Sequence, residues 1–261
     1  MNGETLYGAT DYFRPFPDAA DVFSRAVDEH AEYLLPVASV SLSHLSPDWA
    51  GKVHFIIPVE PVGGYGVLGE RSSAYHNFLC RSNWLGYALR GDRCELACDF
   101  RYFHKLYYTE HPPEGNYRDE LNEMPDHYDR VRSRFAAAAR HFKRYGWLYS
   151  DPDNWDPSAP EPEPGNIMRV SLFRNLGGAS YDSNWSSAYS EGFPISRYPD
   201  KFEDRGQFYD SDRVVPQTDD GRDFVYVGEI EMWNYIGHTN GSLLLFYDPV
   251  QQIALTTFDW S

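Results

Sequence analysis

The chain has 261 residues, 39 of them acidic and 23 basic, which gives a formal net charge of -16 at pH 7. A surface this negative repels nucleic acid and anionic membranes, and it raises the rate at which basic proteins associate. The 20 Tyr, 16 Phe and 7 Trp residues exclude a disordered acidic chain, because such chains contain few aromatic residues. The length allows a sizeable core, in one large domain or two small ones.

Targeting signals and cysteines both favour a cytoplasmic protein. No stretch approaches the roughly 20 apolar residues that a membrane-spanning helix needs. The start of the chain lacks the basic region and apolar run of a signal peptide. The three cysteines form no C-x-x-C pair, so we expect buried, reduced thiols and a cytoplasmic location.

The first third of the chain mixes helix and strand signals. Helical spacing of apolar residues predicts a helix over 18–35, which Pro36 would end. Residues 37–42 and 54–59 are typical of strands. Aromatic and apolar residues alternate from Leu96 onward, which predicts a further strand over 96–108.

The clearest predicted helix is amphipathic and runs from Pro125 to Tyr145, with Gly146 as its end. One face is apolar and the opposite face is basic, with Arg132, Arg134, Arg140, Lys143 and Arg144. These cations could pair with the acidic segments on either side, residues 110–129 and 151–163, or form a nucleic-acid patch. The net charge favours internal pairing.

Five prolines among acidic residues predict a stiff linker over 150–165. Beyond it, strands are predicted over 168–173, 224–233, 242–247 and 253–258. The dipeptides Asn240-Gly241 and Asp248-Pro249 indicate turns. Residues 181–221 are rich in Gly, Pro, Ser and Asp, so we expect mostly loop there.

The predicted fold class is α+β, with mostly antiparallel sheets, a few packed helices and two subdomains. Residues 1–149 would form an N-terminal α+β subdomain and residues 166–261 a C-terminal β-rich subdomain, with 150–165 as the linker between them.

The sequence contains no common catalytic motif, and no metal or other cofactor is predicted. Residues 151–162 fail as an EF-hand, because Asp156 and Pro162 occupy the positions that require Gly and Glu. Asp210 and Asp212 could join Asp219 and Asp220 in binding a metal, but turn formation explains them equally well. A Cys–His dyad that uses Cys80, Cys94 or Cys98 stays open, since its members need only meet in space.

Two acidic segments and the loops after residue 198 are therefore the candidate binding sites for a basic protein. The predicted partner-binding residues are Glu110, Glu114, Asp119, Glu120, Glu123, Asp151, Asp153, Asp156, Glu161, Glu163, Asp210, Asp212, Asp219 and Asp220. Nearby Tyr and Trp residues would supply the apolar anchors that such interfaces need.

Two segments of the C-terminal half resemble the YwqG-like bacterial family. The first is Leu176-Gly177-Gly178, followed by Trp185 and Phe193-Pro194. The second combines residues 224–230 with residues 241–248. Glu229 stands where the family usually has Gln, and Ala179 follows the glycine pair where the family has Pro.

The resemblance implies a place among the immunity proteins of bacterial toxin systems. The whole chain is similar to immunity proteins encoded beside type VI secretion effectors, which are acidic, aromatic and cytoplasmic. We therefore expect a binding protein rather than an enzyme. It would neutralise a cognate antibacterial toxin, a basic nuclease, by stoichiometric occlusion, without binding nucleic acid or membrane. The alternatives are a hydrolase whose carboxylates and histidines assemble only in the fold, and a housekeeping YwqG-like binding module.

Overall fold

The computed structural model describes residues 4–115, 117–149, 169–204, 206–237 and 241–260. Helices and mostly antiparallel sheets confirm the predicted α+β class. The helices are α1 (Ala19–Val22), α2 (Val27–Tyr33), α3 (Leu42–Leu45), α4 (His104–Glu110), α5 (Tyr117–Tyr145) and α6 (Trp233–Ile236). The strands are β1 (Glu4–Leu6), β2 (Phe13–Pro15), β3 (Leu34–Ser41), β4 (Lys52–Pro58), β5 (Trp84–Arg90), β6 (Arg93–Leu96), β7 (Leu148–Tyr149), β8 (Arg169–Val170), β9 (Phe173–Leu176), β10 (Ile195–Asp204), β11 (Gln207–Pro216), β12 (Val225–Glu231), β13 (Ser242–Asp248) and β14 (Ile253–Asp259).

The central sheet has seven strands in the order β1-β9-β12-β13-β14-β5-β6. Four strands from after the predicted linker lie in the middle of this order, with β1 on one side and β5 and β6, also from before the linker, on the other. Each neighbouring pair is antiparallel. The predicted division into residues 1–149 and 166–261 is therefore wrong, because it would cut one hydrogen-bonded sheet. The linker residues themselves, 150–165, lie outside the described residues.

Both faces of this sheet are covered, as the strand β13 shows. Its residues are buried without exception, although antiparallel strands often leave one face in water. Leu243, Leu245 and Tyr247 join the larger core with α5, α6 and the three-stranded sheet β2-β3-β4. Leu244 and Phe246 point to the opposite face and pack in a second core with Trp84 and Trp185.

Gly228 marks a bulge in β12, where the register against β13 shifts between Tyr226 and Gly228. A Cβ at this position would lie 2.5 Å from the carbonyl oxygen of Asn175 and 2.6 Å from the ring of Phe173. We expect Gly228→Ala to lower the free energy of unfolding by about 1–3 kcal/mol, because the added methyl overpacks the site. Urea denaturation measures the loss. Val225→Ala, an exposed change on the same strand, is the control, and equal losses in the two variants would contradict this explanation.

Several predicted elements differ from the observed ones. The helix over 18–35 is broken into α1 and α2, and the chain enters β3 at Leu34. Pro36 lies inside that strand, at a register shift against β4, so strand pairing outweighs the helical pattern. The strand predicted over 96–108 does not form, because β6 ends at Leu96 and a short 3-10 helix and α4 follow.

The long amphipathic helix is real, but it starts at Tyr117 and carries Pro125 in its interior. The missing proline N–H costs one backbone hydrogen bond. Met124, Tyr128 and Val131 are buried on both sides of that position, and this packing holds the helix together.

In the C-terminal half, strands β12, β13 and β14 confirm the strands predicted over 224–233, 242–247 and 253–258. The strand predicted over 168–173 is not continuous, since β8 ends at Val170 and β9 begins at Phe173. The Asp248-Pro249 turn is also confirmed, since Asp248 accepts the backbone N–H groups of Val250 and Gln251. The connection that contains Asn240-Gly241 is longer than a two-residue turn, because α6 lies within it, and Asn240 is outside the described residues.

The predicted loop over 181–221 contains a two-stranded ribbon of β10 and β11. Its paired residues include Lys201 and Asp210, both exposed, so the ribbon lacks the apolar alternation that would reveal a strand. All three cysteines are free, with Cys80 and Cys94 buried and Cys98 half-buried.

Candidate acidic docking face

The N-terminal half of α5 carries an exposed stripe of carboxylates. Asp119, Glu123 and Asp126 are spaced at i, i+4 and i+7, which places them on one side of the helix. All three are exposed, and none forms an ion pair with a described residue. The hydroxyl of Tyr65 donates to Glu123 across 2.9 Å, which raises the pKa of Tyr65.

Glu120 does not belong to this surface, which corrects the prediction for that residue. Its side chain is fully buried. One carboxylate oxygen lies 2.8 Å from Nδ1 of His104 and the other accepts the hydroxyl of Tyr108 at 2.6 Å. The backbone N–H of Arg71 donates to the remaining ring nitrogen of His104. Glu120 therefore joins α5 to α4 beneath the surface and is unavailable to a partner.

Glu110 and Glu114 border a shallow recess of about 520 Å³. Its other lining residues are Arg71, Tyr107, Tyr108, His111, Pro112, Pro113 and Tyr117. The guanidinium of Arg71 stacks on the ring of Tyr117, 3.5 Å from its centre, and lies 3.5 Å from the carboxylate of Glu70. The recess thus combines an aromatic floor with a mostly acidic rim.

A larger pocket of about 630 Å³ lies on the other side of Glu70. Loop residues 58–70, helices α5 and α6, residues 188–191 and Trp260 surround it. Its carboxylates are Glu60, Glu70 and Glu191. His127 also lines the pocket, and burial lowers the pKa of its imidazole.

These features are connected. Glu70 and Arg71 are neighbours in sequence and link the pocket to the recess, while Tyr65 links the pocket loop to Glu123. We call the resulting surface the acidic face and define it as Glu70, Glu110, Glu114, Asp119, Glu123, Asp126 and Glu191. Arg101 lies 3.8 Å from Glu110 and Arg71 lies 3.5 Å from Glu70, and Arg118 and Arg130 lie on α5. These four cations offset only part of the charge of the seven carboxylates, so the surface remains negative.

The other predicted residues are located elsewhere. Asp210 and Asp212 lie on β11, and Asp219 and Asp220 lie in the turn before β12. Asp220 pairs with Arg222 at 2.9 Å, and Asp219 accepts the amide of Gln251. No hydrogen bond or ion pair within the described ranges joins these four to the acidic face. Five further predicted residues fall outside those ranges: Asp151, Asp153, Asp156, Glu161 and Glu163.

The basic face of α5 is in part neutralised internally, and the described partners of Arg132 and Arg134 lie outside the predicted acidic segments. Arg132 pairs with Glu32 of α2 at 2.8 Å, and Lys105 of α4 pairs with the same carboxylate. Arg134 donates to the backbone carbonyl of Gly237. These cations therefore do not neutralise the carboxylates of the stripe on α5.

Sequence reasoning missed Glu70 and Glu191. Both lie in irregular loops, far in sequence from the acidic segments. The only local signals are the nearby glycines of the 63–66 loop and Gly192, which follows Glu191 in a turn.

A separate polar pocket of about 350 Å³ lies on the three-stranded sheet. Ser39 and His54 face each other across β3 and β4 in this pocket, with 2.8 Å between the serine oxygen and Nδ1 of the imidazole. Nε2 of His54 lies 2.8 Å from the backbone carbonyl of Asp92. Because a carbonyl only accepts, Nε2 carries the proton and Nδ1 accepts the serine hydroxyl.

The described residues contain no group of three or more His, Cys, Asp or Glu side chains that could hold a metal ion. Within the same ranges, no helix combines the length and the apolar character needed to cross a membrane.

Comparisons with models of known protein families, with curated proteins and with solved structures gave no match to this chain. The resemblance to YwqG-like proteins and to immunity proteins therefore stays a prediction from the sequence.

Proposed function

We propose that the chain is a cytoplasmic immunity protein that binds and neutralises a basic antibacterial toxin, a nuclease of the type VI secretion kind. The observation that carries the proposal is the acidic face, where exposed carboxylates of α5 lie beside an aromatic recess and a pocket. Positive side chains that a nuclease uses to hold phosphates are complementary to such a surface.

The proposed mechanism is occlusion. Carboxylates at the rim steer the toxin during encounter and raise the association rate. Aromatic side chains such as Tyr107 and Tyr117 in the recess supply desolvated contact area, which contributes more to affinity than rim charge does. The bound chain then covers the cationic surface that the toxin needs for nucleic acid.

The experiment starts from the toxin encoded beside this chain in its own genome. Co-expression should protect cells from that toxin, and calorimetry should detect a one-to-one complex. Absence of both protection and complex would overturn the proposal.

Charge reversal on α5 tests the surface itself. We expect Asp119→Lys/Asp126→Lys to slow toxin association about tenfold or more at low salt, with a smaller effect at high salt. Asp18→Lys/Asp48→Lys changes the net charge equally at exposed positions outside the acidic face and is the matched control. Equal slowing by both variants would assign the effect to net charge and not to the acidic face. Circular dichroism checks that both variants are folded.

A second candidate function, ester hydrolysis, is favoured by the Ser39–His54 pair. The hydroxyl of Ser39 would attack an acyl carbon as its proton passes to Nδ1 of His54. The leaving alcohol then takes up that proton, and water later releases the acyl group from Ser39. Lys52 and Arg14 line the same pocket, where each forms an ion pair at 2.9 Å, with Asp92 and Asp21 respectively.

A fluorophosphonate probe distinguishes this second function. A covalent adduct seen by mass spectrometry in the parent chain, lost in Ser39→Ala and kept in Ser43→Ala, would support hydrolysis. Ser43 is exposed and does not line the pocket, so it controls for nonspecific labelling. An unlabelled parent chain would exclude Ser39 as a nucleophile.

A further inference from the structure

The 630 Å³ pocket in the acidic face has two kinds of wall. One is apolar and comes from Val67, Val131, Met232, Ile236 and Trp260, with Tyr189 beside them. The other consists of carboxylates, and the lining residues within the described ranges include no Lys or Arg. Such a combination fits a ligand that has a hydrocarbon stem and a positively charged end.

The carboxylates differ in their availability. Both oxygens of Glu60 are engaged, since they accept the backbone N–H groups of His104 and Lys105 and the hydroxyl of Tyr128. Glu70 accepts the backbone N–H of Val67 with one oxygen, and its other oxygen lies 3.5 Å from the guanidinium of Arg71. The carboxylate of Glu191 is exposed and has no hydrogen bond or ion pair with a described residue. Glu191 is therefore available to a cation, and Glu70 already lies beside one guanidinium.

The neighbouring recess shows which cation this arrangement suits. There the guanidinium of Arg71 lies flat on Tyr117 and beside Glu70. Tyr189, Glu70 and Glu191 offer a tyrosine and carboxylates in the pocket as well. A planar guanidinium can stack on the ring and donate to a carboxylate at the same time, which a lysine ammonium does less well.

We propose that this pocket receives an arginine side chain of the partner, together with an apolar residue next to it. The volume exceeds that of one side chain, and the apolar wall accounts for the second residue. The proposal rests on the proposed function, because it names the part of the toxin that the acidic face recognises. It makes Glu70 and Glu191 the residues that select arginine.

Capped dipeptides provide the direct test. Acetyl-leucyl-arginine amide is titrated into the full chain and compared with the same peptide containing citrulline, which has the shape of arginine but no charge. Heteronuclear NMR follows the indole signal of Trp260, whose Nε1 donates to Asn83 at 2.7 Å and which Trp260→Phe identifies. We expect the arginine peptide to shift this signal and to bind about tenfold more tightly than the citrulline peptide. Absence of a shift, or equal shifts with both peptides, would overturn the proposal.

Variants of the carboxylates complete the test. Glu70→Gln/Glu191→Gln should weaken the binding of both the peptide and the toxin about tenfold. Asp18→Asn/Asp48→Asn, two exposed changes outside the pocket, should leave both affinities unchanged. Toxin binding that is sensitive to the α5 charge reversal but not to Glu70→Gln/Glu191→Gln would overturn the arginine pocket and leave the proposed function intact. A peptide shift that depends on the arginine charge, without any toxin complex, would support the arginine pocket and overturn the proposed function.

Discussion

Replacing Glu60 by alanine should lower the free energy of unfolding by about 3–5 kcal/mol, the largest loss that we expect from a single substitution in this chain. Glu60 is 2% exposed, and its carboxylate accepts three hydrogen bonds. Two of them come from the first backbone N–H groups of α4. No side-chain cap at Phe103 satisfies these groups, so Glu60 serves as the cap from 44 residues away.

The size of the loss follows from what remains after the substitution. Alanine would leave the buried N–H of His104, the half-buried N–H of Lys105 and the buried hydroxyl of Tyr128 without their acceptor. A buried group in this condition costs about 1–3 kcal/mol. Urea denaturation of the full chain measures the change. Glu60→Gln keeps one acceptor oxygen and should lose less than alanine does.

Glu70→Ala is the matched control for Glu60→Ala, because Glu70 lines the same pocket but is only half-buried. It accepts one backbone N–H and should cost about 1 kcal/mol. A loss at Glu60 no greater than that at Glu70 would contradict the capping role.

Local sequence patterns predicted the elements whose signals are local. The strands β13 and β14 and the Asp248-Pro249 turn follow from apolar runs and turn chemistry. The cap on α4 could not be predicted, since nothing near residue 104 in the sequence indicates that Glu60 will lie beside it. The central sheet was missed for a similar reason, because periodicity in β5 or β9 does not reveal which strand each will join.

The acidic face was predictable only in part. Exposed carboxylates on α5 follow from the sequence, but the burial of Glu120 could be predicted only with the correct start of the helix. With the helix extended before Pro125, Glu120 falls four residues from Met124 and eight from Tyr128, on the buried side. The proline hid this pattern, because it favoured a helix that begins at residue 125.

Acidification should destabilise the chain through His54, by about 3 kcal/mol between pH 7 and pH 4. Burial lowers the pKa of His54 to about 4, although its hydrogen bond to the Asp92 carbonyl acts in the opposite direction. In the unfolded chain the imidazole has its ordinary pKa near 6.5. Between these two values the unfolded state binds a proton that the folded state does not. The contribution is therefore complete above pH 6.5 and is lost as the pH falls to about 4.

Comparison with His54→Gln isolates this effect, because glutamine can keep a donor for Asp92 and an acceptor for Ser39 but does not titrate. The variant should have a lower free energy of unfolding than the parent chain at pH 7. On acidification to pH 4 the parent chain should lose about 3 kcal/mol more of this free energy than the variant does. His111→Gln, at an exposed histidine, controls for the loss of a titrating side chain. Urea denaturation across this pH range measures all three chains. A parent chain and a His54→Gln variant with parallel pH profiles would show that His54 becomes protonated in the folded state and that its burial does not govern acid stability.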